Sequence, residues 1–132
     1  MKIYDCFMYF DEEVVLDLRL NALDKFVDYF VIVESIFTHK GEKRDLNFND
    51  KKFEKFRDKI IYLVYDKQPN DLSNIKDQKN DHGGYIINAL LRENGQRNFI
   101  FEGLKSALDD DLILISDVDE IPNLENINLK EY

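Results

Sequence analysis

Three acids, Asp117, Asp119 and Glu120, follow directly on the apolar run Leu112-Ile113-Leu114-Ile115, and Pro122 closes the stretch. Hard divalent cations such as Mg²⁺ and Mn²⁺ take carboxylate oxygens of this kind, one or two from the protein, and fill the remaining positions with water and ligand phosphates. On a straight strand, carboxylates at i and i+2 point to opposite faces; at a strand end that bends, both can turn toward one cation. An Asp-x-Asp pair alone also fits a solvated turn. The run before it favours the site, because it is too short and too apolar for a surface helix and reads as a strand buried on both faces. Ligand crevices in open α/β sheets lie beyond the carboxyl ends of the strands, so the acids are expected on the ligand side.

The elements that must position them are legible in order. Ile3 to Phe10 is rich in β-forming residues and predicts a first strand. Asp11 is a suitable N-cap, and Leu16, Leu20, Leu23 and Val27 place one apolar stripe on the helix that follows. Tyr29 to Glu34 predicts a second strand, with its only charge, Glu34, at the carboxyl end. A polar loop, Ser35 to Asp50, lies beyond it. Lys51 to Lys59, with Phe53 and Phe56 on one face, predicts a short amphipathic helix, and Ile60 to Tyr65 a third strand. Asp66 to Gly84 reads as a linker, either a mobile lid or a long connection. Tyr85 to Glu93 predicts a helix that Gly95 breaks, and Gln96 to Leu108 a second one with Ile100, Leu104 and Leu108 on one face. This order predicts an α/β fold with a mostly parallel sheet of about four strands and helices on both faces.

Composition narrows the function classes. The chain of 132 residues is about one domain by length, and its 44% hydrophobic and 34% charged residues are globular in character. A net charge of −9 repels phosphate backbones and anionic lipid, which argues against nucleic acid as a partner and asks any anionic ligand to bring a cation. One cysteine, Cys6, excludes an internal disulfide and reads as a buried core thiol; with two histidines no Cys/His zinc pattern assembles. His39 and His82 read as ordinary loop residues. No run approaches a membrane span and no signal segment shows, so a soluble, cytoplasmic location is expected.

Several segments together resemble glycosyltransferase family 17: Lys2-Ile3-Tyr4-Asp5-Cys6-Phe7, Leu18-Arg19-Leu20, Phe30-Val31-Ile32-Val33-Glu34 followed by Thr38 and Gly41, Gln96-Arg97-Asn98, and Ser116 to Pro122. The resemblance implies a GT-A type fold, a nucleotide-sugar donor of the UDP-N-acetylglucosamine kind, a glycan acceptor, and Mn²⁺ or Mg²⁺ bridging the diphosphate to the Asp-x-Asp motif. It makes Asp119 the direct metal ligand and Asp117 a ribose contact or second ligand. Glu34 is placed where such folds meet the nucleoside. Arg97 is set to pair with the donor's phosphates, the alternative being a surface salt bridge. Arg19 has no ligand role in this reading and Glu120 sits behind the metal. Family members continue well beyond the motif, so the resemblance also implies that the acceptor-side half, with the catalytic base, is not in this stretch.

Two other classes remain open at this point. A sheet ending at its acid-bearing strand leaves an edge that invites pairing, which would make the chain a non-catalytic binding or assembly module, with a homo-oligomer as one outcome. An Mg²⁺-dependent phosphohydrolase would use Asp117 as nucleophile and Asp119 as its acid/base partner.

Overall fold

The structure, a computed structural model, describes residues 1–74 and 81–131. Four strands, β1 (Ile3–Tyr9), β2 (Tyr29–Ser35), β3 (Ile60–Tyr65) and β4 (Leu112–Ile115), form one sheet in the order β3-β2-β1-β4. Every pairing is parallel, with Tyr4 opposite Tyr29 and Ile113, and Phe30 opposite Ile60. The expected α/β architecture is therefore present. β1 and β2 are the central strands and are buried along almost their whole length, which is why they read as continuous apolar runs.

Helices cover both faces. Helix α1 (Glu13–Leu23) packs Leu16, Leu20 and Leu23 against Phe7, Tyr9, Phe30 and Ile32. The opposite face, Tyr4, Cys6, Val31 and Val33, is covered by the 3₁₀ segment Phe99–Leu104 that continues helix α2 (His82–Asn98). Cys6 is wholly buried there, and burial pushes its thiol up to about 12.

Several local expectations are corrected. Glu12, not Asp11, is the N-cap of α1, and no side chain caps that end. The helix stops at Leu23; Val27 is still buried, and Lys59 Nζ donates to the carbonyls of Asp24 and Val27 at 2.6 and 3.1 Å. Lys51 to Lys59 contains only the 3₁₀ turn Glu54–Phe56, because Phe53 and Phe56 are three residues apart and a tighter helix buries both. β4 is an edge strand and only partly buried, with Ile115 51% exposed.

Gly95 does not break α2, and Leu108 lies exposed beyond the 3₁₀ segment instead of on its apolar face. Of the stretch read as a linker, residues 75–80 lie outside the described residues. Gly83 and Gly84 belong to the first turn of α2, capped by Asp81, whose carboxylate accepts from Gly84 N at 3.0 Å. Upstream, Ser73 exchanges two hydrogen bonds with Asn88, at 2.9 and 2.8 Å, which fastens the segment to the helix.

Gly95 is in α2 for close approach. A Cβ there would come within 2.6 Å of Tyr65 Oη, and the Tyr65 ring is backed by Phe99 at 5.2 Å. In an ordinary helix interior Gly to Ala is stabilising by about 1 kcal/mol. Here an overpacking cost of about 1–3 kcal/mol opposes that gain, so Gly95→Ala should bring no stabilisation and should lower stability by up to about 2 kcal/mol. Thermal unfolding of the two chains reads the sign directly, and a raised melting temperature would contradict the packing described.

Candidate functional site

The chain winds from β1 outward through β2 to β3 and then crosses to the far side of β1 to form β4. The winding direction reverses between β1 and β4, and at such a point the loops leaving the strands diverge and open a crevice. A cavity of about 400 Å³ lies there, lined by Met8 and Phe10 at the end of β1 and by Asp117, Val118 and Asp119 after β4. Glu12, Val15, His39 and Glu93 complete its wall.

Alternation explains how both aspartates reach the same space. Val118 is buried in the core beside α1, while Asp117 and Asp119 on either side of it are exposed to the cavity. Asp117 to Glu120 form a turn closed by Glu120 N donating to Asp117 O at 2.9 Å. Glu120 folds its carboxylate back to accept from Asp117 N, also at 2.9 Å, and so serves the turn.

The turn is held from beneath by Arg19, which sits on the buried stripe of α1 with no exposed surface. Its Nε and Nη2 donate to both oxygens of buried Asp5 on β1, at 2.8 and 2.7 Å. Nη2 also reaches Ser116 Oγ at 2.7 Å, and Nη1 donates to the carbonyls of Asp117, Val118 and Glu120 at 2.6, 3.2 and 3.2 Å. The Phe7 ring lies under the guanidinium at 4.5 Å. Sequence reading missed Asp5 altogether and gave Arg19 no partner; the signal was an arginine on the apolar stripe between Leu16 and Leu20.

Arg97 extends from α2 toward the same turn. It pairs with Glu93 at 2.9 Å and comes within 3.9 Å of Asp117 Oδ1, with its side chain 38% exposed. The structure thus shows the surface salt bridge and also brings Arg97 to the rim of the cavity. Glu34 has a different place. It is fully buried and its carboxylate accepts from Arg44 Nη2, Asn47 N, Phe48 N and Tyr62 Oη at 2.7 to 3.0 Å. Burial first, and then that bond to Glu34, raise the Tyr62 pKa, keeping its hydroxyl a donor. Glu34 therefore secures the loop that leaves β2 and does not face the cavity. His39 lies in the loop as read and also lines the cavity; His82, read as a loop residue, is instead the exposed first residue of α2.

Among the described residues no three His, Cys, Asp or Glu side chains converge as a metal cluster. Asp117 and Asp119 are the two carboxylates that the turn after β4 brings to the cavity, which Glu12 and Glu93 also line; a pair of this kind could hold a cation that keeps its other positions for water and ligand.

The chain is thus an all-parallel α/β sheet with an acid-bearing turn at its switch point, the position at which open sheets of this class bind ligands. The chain belongs to glycosyltransferase family 17, which it matches over residues 1–132. Relatives named β-1,4-mannosyl-glycoprotein 4-β-N-acetylglucosaminyltransferase from Homo sapiens and Rattus norvegicus are 32% identical over 117 residues, and the Mus musculus protein is 31% identical. Each match covers 86% of this chain and 20% of the relative, so the chain spans about a fifth of their length. No solved structure gives a significant match. No helix among the described residues is long and apolar enough to cross a membrane.

Removing Arg19 leaves buried Asp5 uncompensated and frees the turn. Arg19→Met, which removes the charge, is expected to cost roughly 3 kcal/mol or more, and Arg19→Lys, which keeps the charge but cannot supply the planar fork, to cost less. Chemical denaturation measures both, and amide exchange at Asp117 and Glu120 should quicken beyond the global change.

Proposed function

We propose that the chain binds a nucleotide-sugar donor, UDP-N-acetylglucosamine, as the donor-side part of a GT-A type glycosyltransferase that transfers the sugar to a glycan hydroxyl. The observation that carries this reading is the placement of Asp117 and Asp119, straddling a buried valine, in one cavity at the switch point of the sheet. Family membership and the names of the relatives support a transferase of this class.

Glu12, Glu93, Asp117 and Asp119 all line that cavity. A diphosphate entering it meets four carboxylates, with Arg97 at the rim as a nearby cation, so a divalent ion is the natural means of neutralising both sides. Asp119 would hold the ion and Asp117 would share it or take a ribose hydroxyl. When bound, the ion supplies charge stabilisation for the leaving diphosphate. Arg97 can exchange its exposed pairing with Glu93 for a donor phosphate at little expense, since surface pairs of this kind contribute about 1 kcal/mol or less. Glu34 is assigned to holding the loop after β2, because a nucleoside contact would require it to surrender one of its bonds.

The assembly reading has one observation in its favour. β4 pairs only with β1 among the described residues, leaving an open edge beside half-exposed Ile115. Light scattering coupled to size exclusion decides it: a monomer at all concentrations removes that reading. The phosphohydrolase alternative gains nothing from the family assignment.

Calorimetric titration with UDP-N-acetylglucosamine, with and without Mn²⁺, tests the proposal. Binding should require the metal and should weaken at least about a hundredfold in Asp119→Ala, in the range seen when a charged ligand partner is removed. Metal-independent binding, or binding indifferent to that substitution, would remove the basis of the reading.

A further inference from the structure

The loop after β2 carries one cavity-lining group with no part so far, His39, and the structure holds it from three directions. Its backbone carbonyl accepts from Arg92 Nη1 at 3.1 Å. The same guanidinium lies beneath Gly41, whose φ of 90° only glycine adopts readily and where a Cβ would come within 2.6 Å of Arg92 Cζ. The imidazole stands edge-on to Phe10, with ring centroids 5.0 Å apart. Its Nε2 lies 3.2 Å from Gln96 Oε1, one turn beyond Arg92 on α2.

Gln96 is fully buried, and its Nε2 donates to the Val33 carbonyl at 3.1 Å. A carbonyl only accepts, so the amide nitrogen must face Val33 and the amide oxygen must face His39. That oxygen also only accepts. In the neutral ring, Nε2 therefore carries the proton and Nδ1 holds the lone pair. No described residue hydrogen-bonds Nδ1, and it is not among the buried unpaired atoms.

Resting on the donor reading above, we infer that His39 is a specificity-determining residue of this cavity, presenting Nδ1 as a fixed acceptor to a hydrogen-bond donor of the bound nucleotide sugar. Leaving aside the ribose hydroxyls, which every nucleotide shares and which confer no such specificity, the donors of this ligand are the imide N–H of uracil and, on the sugar, its hydroxyls and acetamido N–H. Cytosine carries a lone pair where uracil carries that N–H, so an acceptor locked by Gln96 would favour uracil and reject cytosine. A site whose polar group is left facing the wrong partner discriminates more sharply than an apolar one. The Phe10 ring, fixed against the imidazole, gives the same end of the cavity an apolar wall.

The test compares UDP, CDP and UDP-N-acetylglucosamine, each with Mn²⁺, on the unaltered chain, on His39→Phe and on His39→Asn. Phenylalanine keeps a ring against Phe10 but has no acceptor; asparagine places an oxygen near the Nδ1 position. If uracil is read, the preference for UDP over CDP should fall by about tenfold in His39→Phe and return in His39→Asn. If a hydroxyl or the acetamido N–H of the sugar is read, the preference for UDP-N-acetylglucosamine over UDP falls instead. Both ratios unchanged, or an equal loss of Mn²⁺ affinity in the absence of nucleotide, would overturn the inference while leaving the donor reading intact. Absence of metal-dependent binding to the unaltered chain would overturn the donor reading itself. Two-bond ¹H–¹⁵N correlation at about pH 8, where an ordinary imidazole is neutral, reads the tautomer without any substitution: a proton on Nδ1 of His39 contradicts the arrangement.

Discussion

A guanidinium withdrawn entirely from water is the constraint on which the site depends. Burying Arg19 and Asp5 costs desolvation on both sides, and their mutual attraction offsets it only if every remaining donor finds an acceptor. Here they do: Nε and the two terminal nitrogens are divided between Asp5, Ser116 Oγ and three carbonyls of the acidic turn. Two of those carbonyls also accept from the turn itself, Asp117 O from Glu120 N and Glu120 O from Ser116 Oγ, so the guanidinium reinforces bonds the turn already makes where β4 ends. The pair thus links the central strand, the first helix and the turn that bears Asp117 and Asp119, giving an exposed feature the rigidity of the core.

A second buried pair, Glu34 with Arg44, performs a similar task one strand away, with Tyr62 and the amides of Asn47 and Phe48 completing it. Arg44 also reaches the Phe10 carbonyl at 2.6 Å, so this network borders the cavity on its β1 side. The charges of the chain divide accordingly. Those that shape the crevice are interior and matched, whereas the carboxylates facing it are left without comparable partners. An acidic opening over a neutralised foundation is suited to a ligand that arrives with its own cation.

Much of the scaffold was legible because strands buried on both faces leave continuous apolar runs: Phe30 to Val33 could be little else. The acid-bearing turn was legible too, since a chemical pair at a strand end is a local pattern. What escaped were relations between distant residues. Nothing near Asp5 or Arg19 announces that they meet, or that Arg19 also binds a turn about a hundred residues away in the chain. Glu34 looked like a ligand group because strand ends do carry such groups; only packing reveals that a loop had taken all its oxygens. Phe53 and Phe56 suited an α-helix or a 3₁₀ turn equally, and Gly95 looked like a breaker because its neighbour Tyr65 is remote in sequence. His39 was a polar loop residue until the cavity was seen beside it.

Helix α2 meets the crevice with two adjoining rows of side chains. Arg92 and Gln96 secure the loop of His39, while Glu93 and Arg97 lie along the acidic turn. Each residue added to a helix turns everything after it by about 100°. An insertion between Glu93 and Gln96 would therefore swing Gln96 and Arg97 away from both loops at once, whatever its effect on stability. Descendants of this sequence can change length where chain connects the elements, but across that one turn of helix the spacing of residues is as constrained as their identity.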